Sequence, residues 1–213
     1  MKTDDLVSLL ATGVEAVDTG ASTRRYVFAV AAGTLVATIL TAELLGLRPA
    51  FASYLSVPMF WVREAFCAAL GAVGLVFVAR LSRPGRRLGL LPVGIAIPVL
   101  AMWVIAVIAL LGAEPQARSE LIFGQTAIVC PFLIALVSAP LLVALVWTVR
   151  GLAPTRLRLA GAAAGLAAGA IGALVYTLHC PELAAPFLGI WYVLGMLIPM
   201  TVGAWLGPHV LRW

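Results

Sequence analysis

The chain has 213 residues, 63% of them hydrophobic and only 11% charged, with a formal charge of +5 and a mean hydropathy of +1.09. A soluble core of this size cannot hide so much apolar side chain, so the composition predicts an all-α integral membrane protein. The longest polar stretch is the N-terminal 1–25, too short for an appended catalytic domain, and no residue is assigned a catalytic role.

Residues 1–25 read as one unit, a tail, and 26–213 as the membrane domain. Asp4 and Asp5 fall in the first turn of a short helix, where its dipole favours anions, and Leu6, Leu9, Leu10 and Val14 follow at spacings of three and four. Such a helix is too short to be stable undocked. Its acidic face disfavours an anionic lipid surface, which points to a protein groove as its dock. Asp4, Asp5, Leu6, Leu9, Leu10 and Val14 are therefore the candidate partner contacts; the competing reading is a frayed leader. With Asp4, Asp5, Glu15 and Asp18 ahead of it, the first apolar run is expected to stay as an anchor and not to be cleaved as a signal peptide.

Six apolar runs follow, at 26–47, about 60–79, 88–112, 122–149, 157–178 and 186–206, each able to cross a hydrocarbon core of roughly 30 Å as a helix. Glu43, Arg63 and Glu64 are the charges closest to lipid; an ion pair of Glu43 with Arg63 near the interface accounts for them, and snorkelling makes them tolerable. Cys67, among Phe66, Ala68, Ala69 and Leu70, reads as a small packing residue. Pro92, Pro98, Pro131, Pro140 and Pro199 are expected to kink their helices. Gly161, Gly165 and Gly169 form a smooth ridge for close helix packing within the chain; a homodimer contact is the sharper alternative.

Arginine counting orients the bundle. One set of ends holds Lys2, Arg24, Arg25, Arg80, Arg83, Arg86, Arg87, Arg150, Arg156, Arg158 and Arg212, the other only Arg48, Arg63 and Arg118. The positive-inside rule makes the first set, and both termini, cytoplasmic. The net positive charge thus describes insertion, and no direct nucleic-acid contact is read from it.

Two Cys-Pro pairs then share the outer face: Cys130-Pro131 opens the fourth run, and Cys180-Pro181 follows the fifth within His179-Cys180-Pro181-Glu182. A membrane-impermeant thiol reagent is expected to reach both cysteines from that side. Three roles compete for them: a structural disulfide, a redox or metal sensor, and a thiol oxidoreductase. The last lacks a C-x-x-C motif and relay cysteines. His179 and Glu182 could complete a metal set with the two thiols only if all four converge, so a transient metal ion there stays open and no cofactor is assigned.

The Thr3-Asp4-Asp5-Leu6 start, Arg24-Arg25, Phe60-Trp61, Arg83-Pro84-Gly85, Cys130-Pro131, His179-Cys180-Pro181-Glu182 with Phe187 and Trp191-Tyr192, and the closing Leu211-Arg212-Trp213 together resemble the NrsF-type family of six-span bacterial membrane anti-sigma factors. The resemblance covers the whole chain. It implies a multi-pass protein of the bacterial inner membrane, without enzymatic activity, whose partner is an extracytoplasmic-function sigma factor held inactive at the cytoplasmic face. It also implies that Cys130 and Cys180 take part in the response to stress. A function from another class, a small transporter for a metal or thiol-reactive solute with the thiols as entry ligands, stands as the alternative.

Overall fold

The computed structural model describes residues 3–12, 20–49, 51–83, 85, 88–152 and 154–212. The regular structure among them is entirely helical. Six helices are long and apolar enough to cross a membrane: α2 (Ala21–Leu45), α4 (Pro58–Leu81), α5 (Leu91–Gly112), α7 (Cys130–Arg150), α8 (Leu157–Tyr176) and α9 (Ala185–Val210). Three shorter helices are α1 (Thr3–Ala11), α3 (Phe51–Tyr54) and α6 (Pro115–Phe123).

The helices overrun the apolar runs where polar residues can protrude at an end, so α2 begins at Ala21 and takes in Arg24 and Arg25. The larger departure lies at 122–149, expected as one helix. There α6 ends at Gly124, whose φ of +49° favours glycine, and a turn leads into α7 only at Cys130. Hydropathy cannot detect the break, because Ala127, Ile128 and Val129 in the turn are as apolar as the helix after them. The expected kinks at Pro92 and Pro131 are also corrected. Both lie in the first turn of their helices, where the missing N–H would have had no partner anyway, and they start α5 and α7. Pro98, Pro140 and Pro199 do sit inside helices.

The bundle is organised around α8, which packs on α4, α7 and α9. Its glycine ridge makes this possible within one chain. A Cβ at Gly161 or Gly165 would overlap the carbonyl oxygens of Gly203 and Pro199 on α9, and one at Gly172 would overlap Ser138 on α7. The ridge is thus consumed by packing inside the chain. On the outside, α5 leans only on α4 and the first turns of α9. Phe28, Leu35, Ile108, Val143, Trp147 and Trp205 stand exposed around the bundle, giving it an apolar belt.

The two ends differ. One gathers the start of α2 and the ends of α4, α7 and α9, where the Tyr26 and Ser82 hydroxyls hydrogen-bond and Arg25 lies beside Gly151. This is the arginine-rich end. The other gathers the end of α2, the start of α4, the turn before α7 and the α8–α9 connection, and carries the Cys130–Cys180 pair.

Candidate functional site

Cys130 is the first residue of α7, and its amide donates to the Thr126 carbonyl at 2.9 Å. Cys180 lies four residues past α8, its amide donating to Tyr176 O at 3.0 Å. Cys130 and Cys180 belong to one buried cluster. Both are free thiols, and both are 0% exposed. Burial, expected to slow a reagent at Cys130, applies to both thiols: each cysteine lies inside an apolar cluster with Phe66, Ile134, Tyr176, Phe187 and Tyr192, and is reached only through local opening. Cys67 is a packing residue as expected, but it belongs to this same cluster.

The segment carrying Cys180 is held from three sides. From α4, Arg63 donates through Nη1 to the carbonyls of Cys180 (3.2 Å) and Glu182 (3.1 Å), and through Nη2 to Thr177 O (3.5 Å). From the residues after α2, Arg48 donates to the carbonyls of Cys180 and Pro181, both at 3.1 Å, while its guanidinium sits 3.2 Å above the Tyr54 ring. Toward α7, the Glu182 carboxylate accepts from the Gln125 amide at 2.7 Å and from Thr126 Oγ1 at 3.4 Å. Carbonyls of an irregular segment after a helix have no regular partners, and here two arginines supply them.

Arg63 is paired structurally, as expected, but not with Glu43, the partner that the sequence made feasible. Arg63 is fully buried and pairs with its neighbour Glu64 at 3.3 Å, whereas Glu43 is exposed. The carbonyls at the end of α8 win because they converge at one point and together offer a buried cation more than a single carboxylate at the surface can.

His179 and Glu182 do not join the thiols. His179 Nδ1 lies 3.0 Å from Gly46 O, and its ring packs on Tyr176. Glu182 is turned to the 124–126 turn. Among the described residues no three His, Cys, Asp or Glu side chains are grouped to hold a metal ion. What the geometry offers instead is a sealed dithiol. The Cys180 thiol is drawn down to about 6, chiefly by the neighbouring Cys130, with burial opposing and Tyr192, the Glu182 amide and Arg63 assisting. Tyr192 sits in a π-helical turn of α9, and its buried hydroxyl has no conventional partner, so an ionised sulfur would give it an acceptor. Arg48, Arg63, Tyr176 and Tyr192 escape a sequence reading. The one available signal was Arg63, an arginine five residues past the Pro58 that starts its helix.

The N-terminal α1 is helical with Asp4 and Asp5 in its first turn, as expected, and Asp4, Asp5, Leu6 and Leu9 are exposed. Leu10 lies within α1; Val14 lies outside the described residues.

A family described as negative regulator of sigma F matches residues 10–213. The chain belongs to the NrsF family. It is 50% identical over 213 residues to the probable anti-sigma-F factor NrsF of Azospira oryzae and 37% identical over 217 residues to the anti-sigma-F factor NrsF of Caulobacter vibrioides, both matches covering 100% of each chain. No solved structure matches. The NrsF family is a regulatory one, and its match takes in both the thiol end and the arginine-rich end.

Proposed function

We infer that this protein is a membrane-embedded anti-sigma factor. It lies in a bacterial inner membrane with both termini cytoplasmic, sequesters an extracytoplasmic-function sigma factor through the acidic, leucine-bearing α1, and releases it under envelope, metal or redox stress. Family membership supports the negative regulation of a sigma factor. The apolar belt and six apolar helices support insertion, and the arginine asymmetry supports the orientation. Exposed Leu6 (41%) and Leu9 (67%) on α1 are apolar anchors in search of a groove.

The observation that carries the sensing half is the sealed Cys130–Cys180 pair. It is tied by Arg63 to α4, a helix whose far end bears Arg80 and Ser82 at the arginine-rich extremity. Any chemistry that joins or separates the two sulfurs must move the 177–182 segment, and with it Arg63. To change the captured fraction from about 99% to 1%, the two states must differ about 10⁴-fold in sigma affinity, roughly 5.5 kcal/mol, which repacking of whole helices supplies more readily than a loop change. Both thiols are 0% exposed, so an oxidant, a metal ion or a transported solute would each reach them only through local opening, and transport is the alternative that the co-purification test decides.

The test is co-purification of the full-length protein from membranes under resting conditions. The expected result is a stoichiometric sigma factor, lost when residues 1–12 are removed from a protein that still inserts. Solute uptake in vesicles with no bound cytosolic partner would overturn the assignment.

A further inference from the structure

At the arginine-rich end, α2 and α7 diverge. They touch at Gly33, where a Cβ would lie 2.9 Å from the Leu141 Cα, and from there toward the end of the bundle they part to leave a groove of about 950 Å³. Its walls are apolar, with Phe28 and Ala32 on one side and Ala144 and Trp147 on the other. Arg25, Arg150 and Arg212 line the same groove from three separate parts of the chain, all exposed and none with an ion-pair partner among the described residues.

We propose that this groove is a binding site for one anionic phospholipid, its phosphate against the three guanidiniums and an acyl chain between α2 and α7. The proposal rests on the reading that these helices cross a membrane. Three cations around one mouth, without an ion-pair partner among the described residues, call for an anion, and guanidinium matches phosphate oxygens with paired N–H donors. From Arg25 to Ala32 is seven residues, about 10 Å along a helix, enough to take the upper part of an acyl chain. The walls lie within the helices that would cross the bilayer, and Phe28 (74% exposed) and Trp147 (76%) open the groove sideways, where lipid would stand. A polypeptide arriving from the aqueous side could meet the arginines but not these walls. Trp147, one turn below Arg150, suits the headgroup boundary. Because α2 follows directly on the tail that carries α1, an occupied groove would hold the base of the partner-binding segment against α7.

The experiment is native mass spectrometry of the full-length protein released from nanodiscs containing equal phosphatidylglycerol and phosphatidylcholine. The expected result is one retained phosphatidylglycerol. Arg25→Gln, Arg150→Gln and Arg212→Gln combined should weaken its retention on the order of a hundredfold. Ala32→Trp, which fills the groove while keeping every charge, should abolish it. Equal retention of both lipids, or retention unaffected by either variant, overturns the site. A dimer that keeps no lipid and is lost in Ala32→Trp would assign the groove to a second copy, and lipid gained only after deletion of residues 1–19 would assign it to the acidic tail; either result overturns the proposal. Extraction of the protein from reconstituted vesicles by alkaline carbonate would instead show that the membrane reading itself is wrong. Loss of lipid preference in a protein that resists extraction defeats the lipid site alone.

Discussion

Arg63 carries more of the thiol end than any other side chain, because three main-chain carbonyls and Glu64 share one buried guanidinium. Arg63→Met leaves those carbonyls buried and short of donors, and should cost about 3–5 kcal/mol in thermal unfolding of the detergent-solubilised protein. Arg63→Lys keeps the charge but loses the forked geometry, and should recover less than half of that loss. Full recovery by lysine would mean that charge alone matters there. The Cys180 thiol supplies a pH signature. Its folded value, about 6, lies below the ordinary 9.0, so the stability it contributes is complete above about 9 and is lost as pH falls through about 6. The gap in unfolding midpoint between the natural protein and Cys180→Ser should therefore widen with rising pH across that window. Cys130→Ser, which replaces the neighbour that draws the thiol down most, should move the window upward. A gap that stays flat with pH would show that Cys180 does not ionise in the folded protein.

The helices themselves were legible wherever apolar length decided them. Each of the six apolar runs supplied one long helix, the fourth only from Cys130 onward, and the Gly161, Gly165 and Gly169 ridge met a helix of the same chain. What escaped was set by contacts distant in sequence. The break before Cys130 depends on Gly124 meeting Glu182, 58 residues later, and nothing in the apolar run from Ile122 announces it. Gly124→Ala tests that hinge. A Cβ there would lie 2.5 Å from a Glu182 carboxylate oxygen on a backbone with φ +49°, so the substitution should cost about 1–2 kcal/mol. It should also loosen the turn that positions Cys130, seen as faster alkylation of the two buried thiols; unchanged alkylation would detach the turn from the thiol pair. On α1, the stripe of Leu6 and Leu9 was plain in the sequence, and both residues are exposed. Leu6→Asp with Leu9→Asp should weaken sigma-factor capture on the order of 2–4 kcal/mol while leaving insertion intact. Unaltered capture would transfer the binding surface to the arginine-bearing loops.

Across the whole bundle, chain parity predicted that Cys130 and Cys180 share an end, and the fold brings them into contact. Their protection was not predictable, because the aromatic wall of Tyr176, Phe187 and Tyr192 is assembled from the end of α8 and the first turns of α9. Nor was the clasp, since the sequence offers Glu43 as a nearer partner for Arg63 than carbonyls more than a hundred residues away. The resulting architecture separates a sealed dithiol at one end from the arginine-rich end at the other, with α4 and α8 running between them. The account therefore stands on one coupling, between the state of the thiols and affinity for the partner. The decisive measurement is the dissociation constant of the sigma factor for the full-length protein in nanodiscs, with the thiols reduced and then after treatment with a dithiol oxidant or a thiophilic metal ion. The account predicts a loss of affinity approaching 10⁴-fold in the natural protein, and none in Cys130→Ser or Cys180→Ser, each of which should bind as tightly as the reduced form. Equal affinity before and after treatment of the natural protein would contradict it.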